Sequence, residues 1–205
     1  MPNWCNNVVE ITHEDPAMLE RVRKAFNDGA LLNEFIPVPQ ELRDTVSGYV
    51  PEQEALEAKQ AANREKYGYS TWYEFCVNEW GTKWDIGADG YPAEDNGVKV
   101  VLTFDSAWSP PVNAYEKLVD MGFEIKAFYH EPGMCYAGIW EDGNDDFYEL
   151  GSMDSQQVAE ELPTELDEMF CISENMEMWE EENQEIDLDG GLSATNEQEE
   201  NNENK

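Results

Sequence analysis

Apolar positions along the first 150 residues follow two spacings, and each marks a different kind of element. Val8, Val9 and Ile11 form the compact β-branched run of a buried strand over residues 7–12. Beyond Asp15, a helix cap with Pro16 at the first helical position, Met18, Leu19, Val22, Ala25 and Phe26 recur every three or four residues. That period places them on one face of a helix, which Gly29 ends. From Leu31 to Leu42 the period is lost, and Pro37 and Pro39 around Val38 predict an extended connection over the surface. Pro51 to Tyr67 is rich in the helix formers Glu, Ala, Lys and Gln. Leu56 is its only large apolar residue before Tyr67, which predicts an exposed, inserted helix.

The helical period returns at Thr71 and Glu74, a capping-box pair, and continues through Trp72, Phe75, Cys76 and Trp80 as far as Gly81. Lys83 to Ile86 reads as the start of a strand, Asp89-Gly90 and Asn96-Gly97 as turns, and Val98 to Phe104 as a strong strand. Ser109 followed by Pro110 and Pro111 starts a second core helix, with Val112, Tyr115, Leu118 and Val119 inward and Gly122 at its end. Phe123, Ile125, Ala127 and Tyr129 then alternate along a strand. Glu131-Pro-Gly133 turns the chain into Met134–Glu141, and Phe147–Leu150 closes the sheet edge. Strand, helix, strand, strand, helix, strand is the order of an α+β, ferredoxin-like sandwich, an antiparallel sheet with two core helices. Here it occupies residues 1–150, with a helical insertion over about 40–80 and an added C-terminal hairpin.

Charge changes the picture beyond residue 150. The chain carries 46 acidic and 12 basic residues, a formal charge of -34. Such a balance excludes unaided binding to duplex nucleic acid, which needs clustered Lys and Arg, and points to a basic protein partner. Residues 141–205 hold 23 of the acidic residues, with Lys205 as their only base. Val158, Leu162, Leu166, Met169, Phe170, Met176 and Trp179 predict one or two amphipathic helices broken near Pro163. Residues 151–184 therefore read as an acidic, partly helical extension and 185–205 as a disordered acidic tail. The N-terminus has neither a basic start nor an apolar run, and nowhere do 18 apolar residues follow one another, so no membrane span is expected and the cytoplasm is the expected compartment. Cys5, Cys76, Cys135 and Cys171 are scattered without a Cys-x-x-Cys pair. Reduced thiols, with no metal and no cofactor, are the expectation.

The segments Pro2-Asn-Trp-Cys-Asn6, Asn78-Glu-Trp-Gly-Thr-Lys-Trp-Asp85, Ala107-Trp-Ser-Pro-Pro111 and Glu131-Pro-Gly133 with Gly138 carry a family resemblance. Over Met1 to Leu150 the chain resembles the YubB-type ferredoxin-like family of plasmid and phage proteins. The resemblance implies that topology and a mobile-element origin within a bacterial host, and it brings no established activity and no catalytic residues. "Ferredoxin-like" names a topology and implies no iron-sulfur cluster.

Two groups of residues are candidates for function. Trp80, Trp84 and Trp108 are either a stacking platform for a base or other planar ligand or, by the commoner use of such residues, core packing. Lys83 with Asp85 and Asp105 is either a polar pocket beside them or a turn-fixing ion pair. In the extension, Glu160, Glu161, Glu165, Asp167 and Glu168 on a helix would space carboxylates over an apolar underside, a layout that imitates duplex phosphates; a solvating tail explains the same letters. His13 and His130 read as surface histidines, Cys5 and Cys76 as buried structural thiols, and the Asp142, Asp145 and Asp146 cluster as a solvated turn. The leading function is a non-enzymatic phage or plasmid interaction protein directed at a basic host or mobile-element protein, a DNA-mimic-like antagonist of host defence. The alternative is a small-ligand or single-stranded nucleic-acid binder using Trp80, Trp84 and Trp108, and an enzyme is third.

Overall fold

The computed structural model describes residues 3–45, 53–88 and 93–183. The expected turn at Asp89-Gly90 and the expected tail over 185–205 lie outside them. The chain divides into two units, Met1–Glu149 and Leu150–Lys205.

In the first unit, β1 (Trp4–Thr12) sits at the middle of a six-stranded antiparallel sheet. Its other strands are β2 (Glu94–Asp95), β3 (Lys99–Ala107), β4 (Glu124–Glu131), β5 (Tyr136–Glu141) and β6 (Asn144–Glu149), in the order β2-β3-β1-β4-β5-β6. Strand alternation sends Cys5, Asn7, Val9 and Ile11 to the core face. There Val9 lies between Leu102 and Ala127, and Ile11 between Val100 and Ile125. Two helices cover this face: α1 (Pro16–Asn27) with Leu19, Val22, Ala25 and Phe26 inward, and α6 (Val112–Asp120) with Ala114, Tyr115 and Leu118 inward. α1 packs on β3, where Phe26 meets Phe104 edge to face at 6.0 Å, and α6 packs on β4. The protein is of the α+β class.

Between α1 and the sheet's return lie α2 (Leu31–Phe35), α3 (Gln40–Arg43), α4 (Gln53–Tyr67) and α5 (Trp72–Glu79). Residues 31–42 are thus not the extended connection their prolines suggested. Leu31, Leu32 and Phe35 bury one side of a single helical turn, and Pro37 and Pro39 fall in the gap before α3 rather than inside a helix. α4 is mostly exposed and is tied to α3 by Lys66 to Glu41 at 2.8 Å and by Asn63 Nδ2 donating to the Glu41 carbonyl at 3.2 Å. Lys83–Ile86 forms no strand. The side chain of Asp85 accepts the N–H groups of Leu32, Asn33 and Ile86, so part of this segment's hydrogen bonding goes to a side chain. Ser109 does not cap α6; its hydroxyl donates to the Gly81 carbonyl and Pro111 takes the capping position.

The added hairpin β5–β6 turns at Asp142 and Gly143, both at positive φ, as a two-residue hairpin loop requires. Tyr129 lies across Gly138 to donate to Asp145 at 2.6 Å. A Cβ on Gly138 would run into the Tyr129 phenol and stand 2.8 Å from the Asp146 carbonyl. Gly138→Ala should therefore lower the urea midpoint by the equivalent of about 1–3 kcal/mol with an unchanged slope, the range of overpacking elsewhere in protein cores.

The second unit contains α7 (Ser155–Glu161), α8 (Thr164–Phe170) and a helical run over 172–183. Asp154 and Gln157 form a reciprocal capping box on α7, the break falls at Leu162-Pro163, and Cys171 ends α8 at φ 50. Three helical pieces replace the one or two expected. Val158, Leu162, Leu166 and Ile172 are their buried positions.

Candidate functional site

Two turns, 80–85 and 106–111, are locked to each other in the first unit. Thr82 Oγ1 both donates to the Ala107 carbonyl and accepts its N–H, each at 3.1 Å, and Ser106 Oγ donates to the Ser109 carbonyl at 2.7 Å. Gly81 takes φ 86 where a Cβ would press on the backbone nitrogen of Val112 at 3.2 Å, so glycine alone fits the crossing.

These turns divide the three tryptophans. Trp80 is 3% exposed and its Nε1 donates to the Ile36 carbonyl at 3.0 Å, so it belongs to the core and to no surface platform. Trp84 and Trp108 are 39% and 41% exposed. Trp108 has φ 68, a left-handed conformation that bulky residues avoid, and is held there by its N–H on the Asn3 carbonyl and its own carbonyl accepting from Tyr136 Oη at 2.7 Å. Lys83 reaches between these rings. Its Nζ lies 4.5 Å from the centroid of Trp84, 5.5 Å from Trp108 and 5.8 Å from Tyr73. Trp4 extends the cluster, 5.8 Å from Trp84.

Of the two readings of Lys83, the ion pair with Asp85 or Asp105 is not formed. Both Asp85 oxygens face backbone donors, with Leu32 N at 2.7 Å, Ile86 N at 2.9 Å and Asn33 N at 3.1 Å, while Asp105 accepts from Asn6 Nδ2 at 2.7 Å. Burial pushes the Asp85 carboxyl above its ordinary value against the pull of those three N–H groups. Tyr73 and Trp4, absent from the expected set, complete the cluster. The signal for Tyr73 was its place on α5 beside Trp72; nothing in the letters brings Trp4 to Trp84. A cleft of about 380 Å³ adjoins the cluster, its walls including Trp72, Trp84, Lys83 and Arg43.

The remaining candidates carry no such arrangement. Asp142 accepts the Ile125 N–H at 3.0 Å, Asp145 holds Tyr129, and Asp146 accepts from Asn144 at 3.2 Å. Among the described residues no group of His, Cys, Asp and Glu is placed to hold a metal ion. His130 is partly buried rather than a surface residue, and burial lowers its pKa. Cys5 and Cys76 are buried, and desolvation pushes both thiols up to about 12, whereas Cys135 and Cys171 are exposed. A thiol reagent at neutral pH should modify Cys135 and Cys171 at once and the two buried thiols only on unfolding. The buried thiols ionise at about 9 in the unfolded chain and about 12 in the folded one. Their contribution to stability is therefore complete below pH 9 and is lost as pH rises toward 12, so thermal melts across that range should show Tm falling with pH.

In the second unit Glu160, Glu161, Glu165 and Glu168 are exposed as expected. Asp167 departs from that set: its carboxylate accepts Ser173 N at 2.7 Å and Ser173 Oγ at 2.6 Å, tying α8 to the helical run that follows. Glu180 likewise accepts Ser155 N at 2.9 Å and Ser155 Oγ at 2.7 Å. Met169, Met178 and Trp179 stand out among the exposed carboxylates, Trp179 at 66% and Met178 at 56%.

No family model matches the chain, and no curated protein matches it. Among solved structures it is similar to the crystal structure of a protein api92 from Yersinia pseudotuberculosis, of the DUF1281 family. The likeness spans 75% of this chain and 99% of that one at 14% identity, with a TM-score of 0.39. No helix among the described residues is long and apolar enough to cross a membrane.

Proposed function

We propose that this is a non-enzymatic accessory protein of a plasmid or phage that binds a basic host or mobile-element protein through its acidic extension, in competition with nucleic acid. The observation that carries the reading is the exposure of Trp179, Met178 and Met169 among carboxylates in a folded unit whose helices are joined by the Asp167–Ser173 and Glu180–Ser155 hydrogen bonds. A merely solvating tail has no use for an exposed tryptophan, whereas aromatic residues and Met are enriched in protein interfaces. Residues 127–204 contain no Lys or Arg, so the chain supplies no cations of its own in that stretch. Such a surface attracts a basic partner by long-range steering, and the apolar anchors give the encounter a fixed register. The mobile-element setting comes from the resemblance to YubB-type proteins, and a defence or DNA-binding component of the host is the kind of partner it supplies.

Affinity capture from bacterial host lysate tests this reading. The full chain should retain a basic protein at low salt, duplex DNA should compete for it, and Trp179→Ala should retain distinctly less. Equal capture by the parent and by Trp179→Ala, with no competition from DNA, would remove the basis for the proposal. A second reading, a ligand-binding module on the first unit, is favoured by the exposure of Trp84 and Trp108 and loses Trp80, which is buried.

A further inference from the structure

Three rings stand around the Lys83 ammonium group, and among the described residues no carboxylate forms an ion pair with it. Lys83 Nζ is within 6 Å of the centroids of Trp84, Trp108 and Tyr73, inside the range of cation–π attraction. Tyr73 and Trp108 stand nearly perpendicular, at 89°, so these two rings enclose a point and leave no parallel slot for a flat group. Trp108 has a left-handed backbone and is 41% exposed. Strain of this kind gathers at ligand clamps and switch regions.

We propose that Tyr73, Trp84 and Trp108 form a binding site for a quaternary ammonium group, and that Lys83 is its resident competitor. Aromatic cages recognise such cations because the ring faces are electron-rich and a methylated ammonium is poorly hydrated. A lysine ammonium is a strongly hydrated charge on a flexible four-carbon stem, so it holds the cage weakly and leaves it readily. Each exposed contact of this kind changes an equilibrium constant by only about two- to fivefold. The protein's net charge of -34 raises the local concentration of any cation. Lys83 occupies the space between the rings in the empty protein and sets a threshold that ordinary ammonium ions do not pass. The site lies in the first unit and does not depend on the partner proposed for the extension.

The test is a titration of the full-length chain with tetramethylammonium chloride, read on the indole N–H resonances of Trp84 and Trp108, with sodium chloride at matched ionic strength as the control. Lys83→Met keeps the stem and removes the resident charge; it should bind the probe about tenfold more tightly than the parent. Trp108→Gly, made in the Lys83→Met background, suits φ 68 without strain; it should keep a single cooperative melt and lose the binding. The proposal is overturned if Lys83→Met binds no more tightly than the parent, if sodium chloride gives the same shifts, or if the Trp108→Gly form still binds. Circular dichroism melts of each variant establish that a lost shift is not lost folding.

Discussion

Replacing Asp85 by alanine should destabilise the first unit by roughly 3–5 kcal/mol, because three backbone N–H groups lose their acceptor in one substitution. Oδ1 takes Leu32 N and Ile86 N, and Oδ2 takes Asn33 N, so the carboxylate joins α2 to the tryptophan turn across more than 50 residues of chain. Asp85→Asn keeps one acceptor oxygen but turns an amide donor toward the Asn33 N–H; it should fall between the parent and Asp85→Ala. For a chain of this length the alanine variant corresponds to a fall in Tm of about 10 °C, with the tryptophan emission changing in the native baseline. A loss below about 1 kcal/mol would mean that water replaces the carboxylate and that the turn is held by Thr82 and Ser109 alone.

Changing Glu160, Glu161, Glu165 and Glu168 together to Gln removes four charges at nearly constant size and helix propensity. Folding should survive, since all four are exposed and none belongs to the buried positions of α7 and α8. Affinity for the basic partner should fall about tenfold or more at physiological ionic strength, and the difference should shrink as salt screens the remaining carboxylates over about 8 Å. Asp167 is left in place deliberately. Its carboxylate holds Ser173, so its removal would confuse a loss of binding with a loss of structure.

The α+β class, both core helices and the long strands were legible because each follows a local rule. Strand alternation in β1 and the three-to-four spacing of Leu19, Val22 and Phe26 need no knowledge of distant residues. The turns were legible only as turns. Trp80 and Trp84 are four apart, and a helix would have put them on one face, but Gly81 ends the period between them and sends one to the core and the other to the surface. Asp85 and Leu32, or Trp108 and Asn3, meet through folding alone, and no spacing announces such pairs. Prolines misled at residues 37 and 39, where the same letters that interrupt a long helix are compatible with two short ones. In the extension, Pro163 showed the first break, whereas the second falls at Cys171, which takes φ 50 without the glycine or asparagine that usually signals it. The letters around Lys83 suit either a polar pocket or an ion pair with Asp85 or Asp105; its placement among rings depends on Tyr73 and Trp108, which come from α5 and from the turn before α6.

The salt dependence of affinity for the captured basic partner, measured by calorimetry for the parent and for Trp179→Ala, tests the central claim most directly. An interface made of carboxylates with apolar anchors should lose part of its affinity between about 50 and about 200 mM salt and keep a remainder, and Trp179→Ala should lower the affinity by a similar factor, about tenfold, at both. If Trp179→Ala binds as tightly as the parent and all binding disappears at the higher salt, the extension is a solvating polyanion with no built interface, and the proposed function is wrong.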